Sequence, residues 1–355
     1  MIRVTLPGKR KILLIIILFS LIITASGADL SPPPVIYVGG SYWDDGIYKA
    51  CYWINGARRD LPVPSKTGNS SGYAITVENE EIYAAGYYYI DGVAKACFWN
   101  DGVKKDLSIP PTAGESTVYS LTVINGTVYT AGCYFDGGVW KACIWKDGAR
   151  TDLSAPPAAG DASADVITVA NGKTYTVGFY NDGDVRKTCY WINGERTDIP
   201  IPSENGDTYV NGIAVVSGDI YIAGFYWEGD IAKACFWING IITDLSVPPS
   251  ADSSYVADIA VINGVVYAAG FYIDGDVYKV CYWINGERTD TPVFRAIGVF
   301  SVLNITVKNG AVCIAGAFNE DDVLKTWYWK DGVITDLPIL PSSGNSFASS
   351  IVVVP

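Results

Sequence analysis

The sequence contains no histidine, and its single methionine is Met1. Without histidine a Ser-His-Asp relay has no base, and His-ligated copper or zinc centres have no ligands. A cysteine-only zinc site is excluded too, because the eight cysteines never fall in the close pairs that such a site requires. Charge is scarce and one-sided: 17% of residues are charged, and 37 acids against 25 bases give a formal net charge of −12. That balance repels phosphate backbones and argues against nucleic acid as a partner. No window spaces its apolar residues as a helix does, so neither helices nor a phosphate-cradling glycine loop feeding a helix is expected.

Long apolar runs are missing as well, except at the start. Arg3, Lys9, Arg10 and Lys11 precede an apolar stretch from Ile12 to Ile23, interrupted by Ser20, and Ser26-Gly27-Ala28 follows. This is the pattern of a signal peptide over residues 1–28, cut after Ala28. The rival reading is an uncleaved anchor, but the run falls short of the ~20 residues that span a bilayer. The expectation is a secreted or extracytoplasmic protein, at the cell surface or in the periplasm, with no membrane contact after signal removal. Cleavage removes four cations and no anions, which takes the net charge to −16.

What the remainder has is a repeat. Lys233-Ala234-Cys235-Phe236-Trp237-Ile238-Asn239-Gly240 recurs in close copies at a fixed step of 46 residues. Its tryptophan reappears as Trp53, Trp99, Trp145, Trp191, Trp283 and Trp329 without insertion or deletion. Within one unit, residues 74–77, 82–88, 95–99 and 104–109 are rich in Val, Ile, Tyr, Phe, Trp and Thr and read as four strands. Asn-Gly or Asp-Gly pairs such as Asn55-Gly56, Asp101-Gly102 and Asn125-Gly126 join them as hairpins. Seven four-stranded antiparallel units make an all-β, seven-bladed β-propeller over residues 29–355. The chain enters at a second strand, since Ile36 aligns with Ile82, and the missing first strand stands at the other end, where Ile351–Val354 aligns with 305–308. The C-terminal strand is therefore expected to close the ring by joining the first blade. A closed ring is expected to be a monomer.

The runs Ile36-Tyr37-Val38-Gly39-Gly40 and Asn263-Gly264-Val265-Val266-Tyr267-Ala268-Ala269-Gly270 resemble the strand and di-glycine signature of kelch repeats. The segment from Ala234 through Trp237 and Gly240 to Asp244-Leu245 is also similar to the HAF repeats of bacterial extracellular proteins. Here the second kelch glycine is mostly replaced and the Trp precedes the turn instead of following it. The resemblance implies a propeller and a binding role; it carries over no substrate.

Most recurring residues read as packing. The tryptophan column and the glycines at 40, 86, 132, 178, 224, 270 and 316 suit strands covered on both faces, the glycines letting blades crowd near the axis. Six cysteines share one column and read as small buried apolar residues, while Cys133 and Cys143, on consecutive strands, are left as a possible disulfide. Arg58 and its equivalents should stack on the facing tryptophan. Asp60, Asp106, Asp152, Asp198, Asp244, Asp290 and Asp336 are either sevenfold catalytic or metal-binding carboxylates or, more plainly, partners of their own blade's lysine, such as Lys49.

A functional surface should lie where copies differ. The loops between second and third strands are acidic, with Asp182, Asp184, Glu228, Asp230, Asp274 and Asp276, and variable aromatics stand beside them as Trp43, Tyr89, Phe135 and Trp227. Rings next to carboxylates can stack on sugars and accept their hydroxyl protons, or grip a protein; the plain alternative is a solvated acidic rim. Calcium is conceivable at Asp182-Gly183-Asp184, though without the ligand spacing of an EF-hand, and no other cofactor is expected. The resulting reading is an exported binding or scaffold propeller for a glycan or protein. The alternatives are a carboxylate-dependent glycan hydrolase or lyase, for which two acids suffice, and a structural cell-surface protein.

Overall fold

The computed structural model describes residues 35–354 apart from 65–67, 202–206, 297–299, 309, 321–322, 331 and 338–345. The expected signal segment, residues 1–28, lies outside the described residues. Seven four-stranded antiparallel sheets follow one another in a ring, a seven-bladed β-propeller with no helix among the described residues. Blade four is representative: Ala162–Ala170 is innermost, then Lys173–Asp182 and Val185–Ile192, with Glu195–Asp198 at the rim. Blade one takes its inner strand from the C-terminus. Ser346–Val354 pairs with Val35–Asp44 in the register Val35↔Val354 and Val38↔Ile351, the closure that the alignment anticipates.

The turns explain the Asn/Asp-Gly column. Asn55 and Gly56 both adopt positive φ (47° and 81°), the geometry of a two-residue hairpin that matches strand twist. The Asn55 side chain does a second job: its Oδ1 accepts the Ile36 N–H at 2.9 Å. Asp101 and Asp147 accept the Ile82 and Val128 N–H in the same way, each at 2.9 Å, which is why Asp substitutes freely for Asn here.

Blades are joined by their tryptophans. Trp99, Trp145, Trp191, Trp237 and Trp283 are fully buried, and each indole N–H reaches a carbonyl on the segment leaving the preceding blade. The acceptors are Pro62, Ser108, Ser154, Pro200 and Ser246, at 2.7 to 3.0 Å. The seam between blades six and seven departs from this pattern. There the rim strand of blade six runs on to Ala296 and pairs again with the third strand, and Trp329 Nε1 finds no acceptor among the described residues. The seam keeps an inner tie also found between blades three and four, where Ser120 accepts the Ile167 N–H: Asp258, on the inner strand of blade six, accepts the Ile305 N–H of blade seven at 3.2 Å. Burial pushes its carboxyl up to about 7, opposed by the Ile305 and Ile259 N–H groups.

Several sequence expectations need correction. The glycines are fixed within a blade and not between blades. Every inner strand carries a one-residue irregularity, as between Ala164 and Val166, and a Cβ on Gly178 would sit 2.0 Å from the Ser163 carbonyl oxygen of the same blade. The cations do not stack on tryptophan, which packs against the preceding blade. Arg58, Arg150 and Arg196 lie over Tyr42, Tyr134 and Tyr180, with guanidinium carbons 3.6 to 4.5 Å from the ring centroids. The column aspartates pair with these cations and not with the lysines: Asp60 with Arg58, Asp152 with Arg150 and Asp198 with Arg196, at 2.8 to 2.9 Å. Asp106 pairs with Lys104 and Asp290 with Arg288, whereas Asp244, lacking a cation two residues back, receives the Tyr226 hydroxyl at 3.2 Å. Cys133 and Cys143 are buried thiols and form no disulfide. Instead Cys133 faces Ala142 and Cys143 faces Gly132 across the ladder.

Two measurements check these contacts. Trp191→Phe removes a buried 2.7 Å hydrogen bond and should cost about 1–3 kcal/mol in denaturant unfolding, more than Trp329→Phe, whose indole N–H has no acceptor among the described residues. Asp258 holds its proton up to about pH 7 when folded, but only to near 3.8 when unfolded. Its contribution is therefore greatest at low pH and is lost as pH rises from about 4 to 7, with a slope of at most about 1.4 kcal/mol per pH unit. No histidine titrates in this window, and Asp258→Asn should flatten it; an unchanged slope would assign the effect elsewhere.

Candidate functional site

Inner strands of neighbouring blades pack side by side around the axis, so the start of each forms one mouth of the central channel. The loops between second and third strands and the blade-to-blade connections share that face. In blades five and six the mouth is filled by rings. Tyr209 stacks on Phe225 (centroids 4.9 Å, planes 11° apart), Tyr255 on Phe271 (5.0 Å, 23°), and Phe225 meets Tyr255 edge-on at 4.9 Å across the seam. In blades three and four the positions equivalent to Tyr209 are Thr117 and Ser163, and the position equivalent to Phe179 and Phe225 is Cys133 in blade three. Where the rings are missing, a cleft of about 260 Å³ opens.

Arg186 stands at its centre. It is set by the third strand of blade four, opposite Asn181, at a column position occupied elsewhere by Tyr48, Ala94, Trp140, Ala232 and Tyr278. Its guanidinium carbon lies 3.4 Å from the Phe179 centroid and 4.6 Å from that of Tyr209, so rings from two blades cover its faces. Nη2 is 3.8 Å from Asp165 Oδ2, both side chains keep 25% exposure, and Nε has no hydrogen-bond partner among the described residues. Asp165 occupies the irregular position of its strand, where Tyr73, Tyr119, Asn211 and Ala257 stand in other blades. The Ser163 hydroxyl donates to it at 2.6 Å. Burial nonetheless raises its pKa, outweighing Ser163 and Arg186, while burial lowers that of Arg186. Tyr119 and Trp140 wall the cleft from blade three, and Asp161 closes it, its Oδ1 taking the Trp140 N–H at 2.9 Å.

The ten candidates read from the loops are not gathered in one place. Phe135 meets the cleft wall, edge-on to Trp140 at 5.5 Å, and Tyr89 connects to it through ring contacts with Tyr87, then Tyr73, then Tyr119. Trp227 sits edge-on to Phe225 and Tyr255, beside the stacked rings. Trp43 packs on Tyr48 in blade one. Glu228 and Asp274 are held by the column lysines Lys233 and Lys279, the partners that the strand aspartates lack. Asp182, Asp184, Asp230 and Asp276 lie on exposed turns, and no group of three or more carboxylates or cysteines converges to hold a metal among the described residues. Asp182 and Asp184 do belong to the hairpin whose base is Asn181 and Arg186. Arg186, Asp165, Phe179 and Tyr209 do not stand out from the sequence. Their signal is present in the columns of the repeat, but only the strand irregularity shows which columns face the channel.

No family model matches the sequence and no curated protein matches it. Among solved structures the chain is similar to a periplasmic gluconolactonase of Pseudomonas aeruginosa, at 12% identity and TM-score 0.49, covering 91% of this chain and 99% of that one. It is also similar to the Trypanosoma rangeli sialidase in complex with sialic acid, at 12% identity and TM-score 0.46, covering 82% and 56%. A polysaccharide lyase matches at 11% identity and TM-score 0.45, covering 85% and 88%. Likenesses at this level carry nothing about what this chain binds, and the seven sheets stand on their own.

Proposed function

We propose that this chain is an exported glycan-binding propeller that holds its ligand in the cleft at the channel mouth. The observation that carries the reading is the convergence there of rings and hydrogen-bonding groups: Tyr119, Trp140 and Tyr209 with Asp161, Asp165 and Arg186. A sugar offers a C–H face to aromatic rings and a rim of hydroxyls to carboxylates and guanidinium, and few other ligands use both at once. The local charge favours an uncharged glycan. Arg186 already faces Asp165, Asp161 adds a second negative charge, and the chain as a whole is acidic. The likeness of the repeat to kelch and HAF sequences fits a binding role outside the cytoplasm, as does the basic, apolar and small-residue order of residues 1–28.

A glycan hydrolase or lyase is the second reading. The raised pKa of Asp165 suits a proton donor, and Asp161 lines the same cleft. Against it, one oxygen of Asp161 is committed to the Trp140 N–H, which favours holding a ligand over cleaving it.

Glycan-array binding of residues 29–355 should give neutral glycans above acidic ones, and Tyr119→Ala, at a side chain 39% exposed, should weaken the best ligand about 3- to 10-fold. Silence across the array would remove the proposal, and release of reducing ends from any polysaccharide would install the hydrolase in its place. For export, the mature protein should begin at Asp29 by N-terminal sequencing; an intact N-terminus retained in membranes would mean an anchor instead.

A further inference from the structure

Asparagine followed by glycine recurs at two kinds of turn, and the two are held differently. At the rim, between third and fourth strands, Asn55, Asn193, Asn239 and Asn285 each have two ties to the start of the second strand. The backbone N–H of each donates to the carbonyl of Ile36, Thr174, Ile220 or Val266, and its Oδ1 accepts the N–H of that same residue, all at 2.8 to 3.0 Å. The rim glycines are drawn in as well: Gly286 is buried, and the Gly194 and Gly286 carbonyls accept the N–H groups of Ser154 and Ser246 from the preceding blade. Nearer the axis, between first and second strands, Asn171-Gly172 and Asn263-Gly264 lack these ties. Both residues of each pair are exposed, a Cβ on either glycine would meet nothing within 4 Å, and neither asparagine side chain has a hydrogen-bond partner among the described residues. The backbone does not separate the two kinds, since Asn171, Asn239 and Asn263 have φ of 51°, 50° and 52°. A third inner turn, Asn125-Gly126, is held from outside: Glu78 of blade two accepts the Asn125 N–H at 2.9 Å and the Gly126 N–H at 2.7 Å.

We infer that Asn171 and Asn263 are sites of spontaneous modification, at which asparagine is converted to aspartyl and isoaspartyl residues, while the fold protects Asn193, Asn239 and Asn285. The glycine nitrogen gives up its proton and attacks the asparagine Cγ; the Cγ–Nδ2 bond breaks, ammonia leaves, and a five-membered imide closes. Water then opens the ring at one of its two carbonyls. One opening gives aspartate, and the other gives the isoaspartyl linkage, in which the main chain runs through the former side chain. Glycine permits the attack because no Cβ shields its nitrogen. The side chain must also swing toward that nitrogen. At the rim, two hydrogen bonds have to break first, and each lowers the population of the released form about 2- to 10-fold. At Asn171 and Asn263 no such bond opposes the swing, and water has access to the imide. These turns end the inner strands, whose starts form the mouth at which the cleft lies, so each conversion places a new carboxylate on the opposite face.

The experiment incubates the purified, folded protein in mildly alkaline buffer and follows its peptides over time by mass spectrometry, with fragmentation that separates aspartyl from isoaspartyl products. Ile262-Asn263-Gly264-Val265 and Ile238-Asn239-Gly240-Ile241 have nearly the same local sequence, so they compare the two environments directly. Asn263 should convert about tenfold faster than Asn239, and Asn171 should outpace Asn193 in the same way. In urea these differences should vanish. Glu78→Ala removes the outside tie and should bring Asn125 up to the rate of Asn263, with circular dichroism showing that the variant folds. Equal rates at Asn263 and Asn239 in the folded protein would overturn the inference. A difference that persists in urea would assign it to local sequence and overturn it as well. An Asn125 that stays slow in folded Glu78→Ala would show that such ties do not protect, and that result too would overturn it.

Discussion

The hydrogen bond from the buried indole N–H of Trp99, Trp145, Trp191, Trp237 and Trp283 to a carbonyl of the preceding blade is the contact on which the rest of this molecule depends. A four-stranded blade is apolar on both faces and cannot be stable alone; it needs a neighbour on each side. Burying an indole supplies the area, but a buried N–H without an acceptor would cancel part of the gain. The carbonyls of Pro62, Ser108, Ser154, Pro200 and Ser246 meet that need at 2.7 to 3.0 Å and one repeat position. They lie on the segments by which the preceding blades exit. Where the exit changes, at the long rim strand of blade six, Trp329 Nε1 has no acceptor among the described residues, and the inner tie from Asp258 to the Ile305 N–H remains.

Uniform packing leaves a molecule whose differences are informative. The rings at the channel mouth satisfy one another in blades five and six, and small residues at Thr117, Cys133 and Ser163 interrupt them. In that gap a single arginine stands between rings of two blades, next to a carboxylate that burial makes reluctant to ionise. A rim arginine among lysine–carboxylate pairs would be worth little. Arg186 is different because it is partly removed from water and incompletely partnered, and both conditions reward a ligand that brings hydroxyl oxygens.

Blade number, strand order, hairpin turns and ring closure were legible because they derive from period and turn chemistry, which are local. The ion pairs were not. Arg58 does stand opposite Trp53 in the ladder, but the tryptophan's faces belong to the adjacent blade, so the cation turns to Tyr42 and takes Asp60 with it. Lys49 is then left to Asp44 at the loop. Side-chain partners in a stacked fold are decided by neighbouring sheets that one blade's sequence does not contain. The same holds for the site. The sequence singles out loop residues such as Asp230 and Asp276; Asp165 does not stand out from it, because alternation along a strand does not reveal a one-residue irregularity that turns a side chain toward the axis.

Closure through Ser346–Val354 has a temporal meaning. The first blade begins at Val35 yet has no inner strand until residues 346–354 exist, and Val35 pairs with Val354. A chain that emerges from its N-terminus can assemble the intervening blades as it goes, but blade one stays open, with an unpaired edge, until that strand has been made. The ring thus couples completion of the propeller to synthesis of its closing strand. A product cut short anywhere before residue 346 would carry an exposed strand edge, open to pairing with other chains and to degradation.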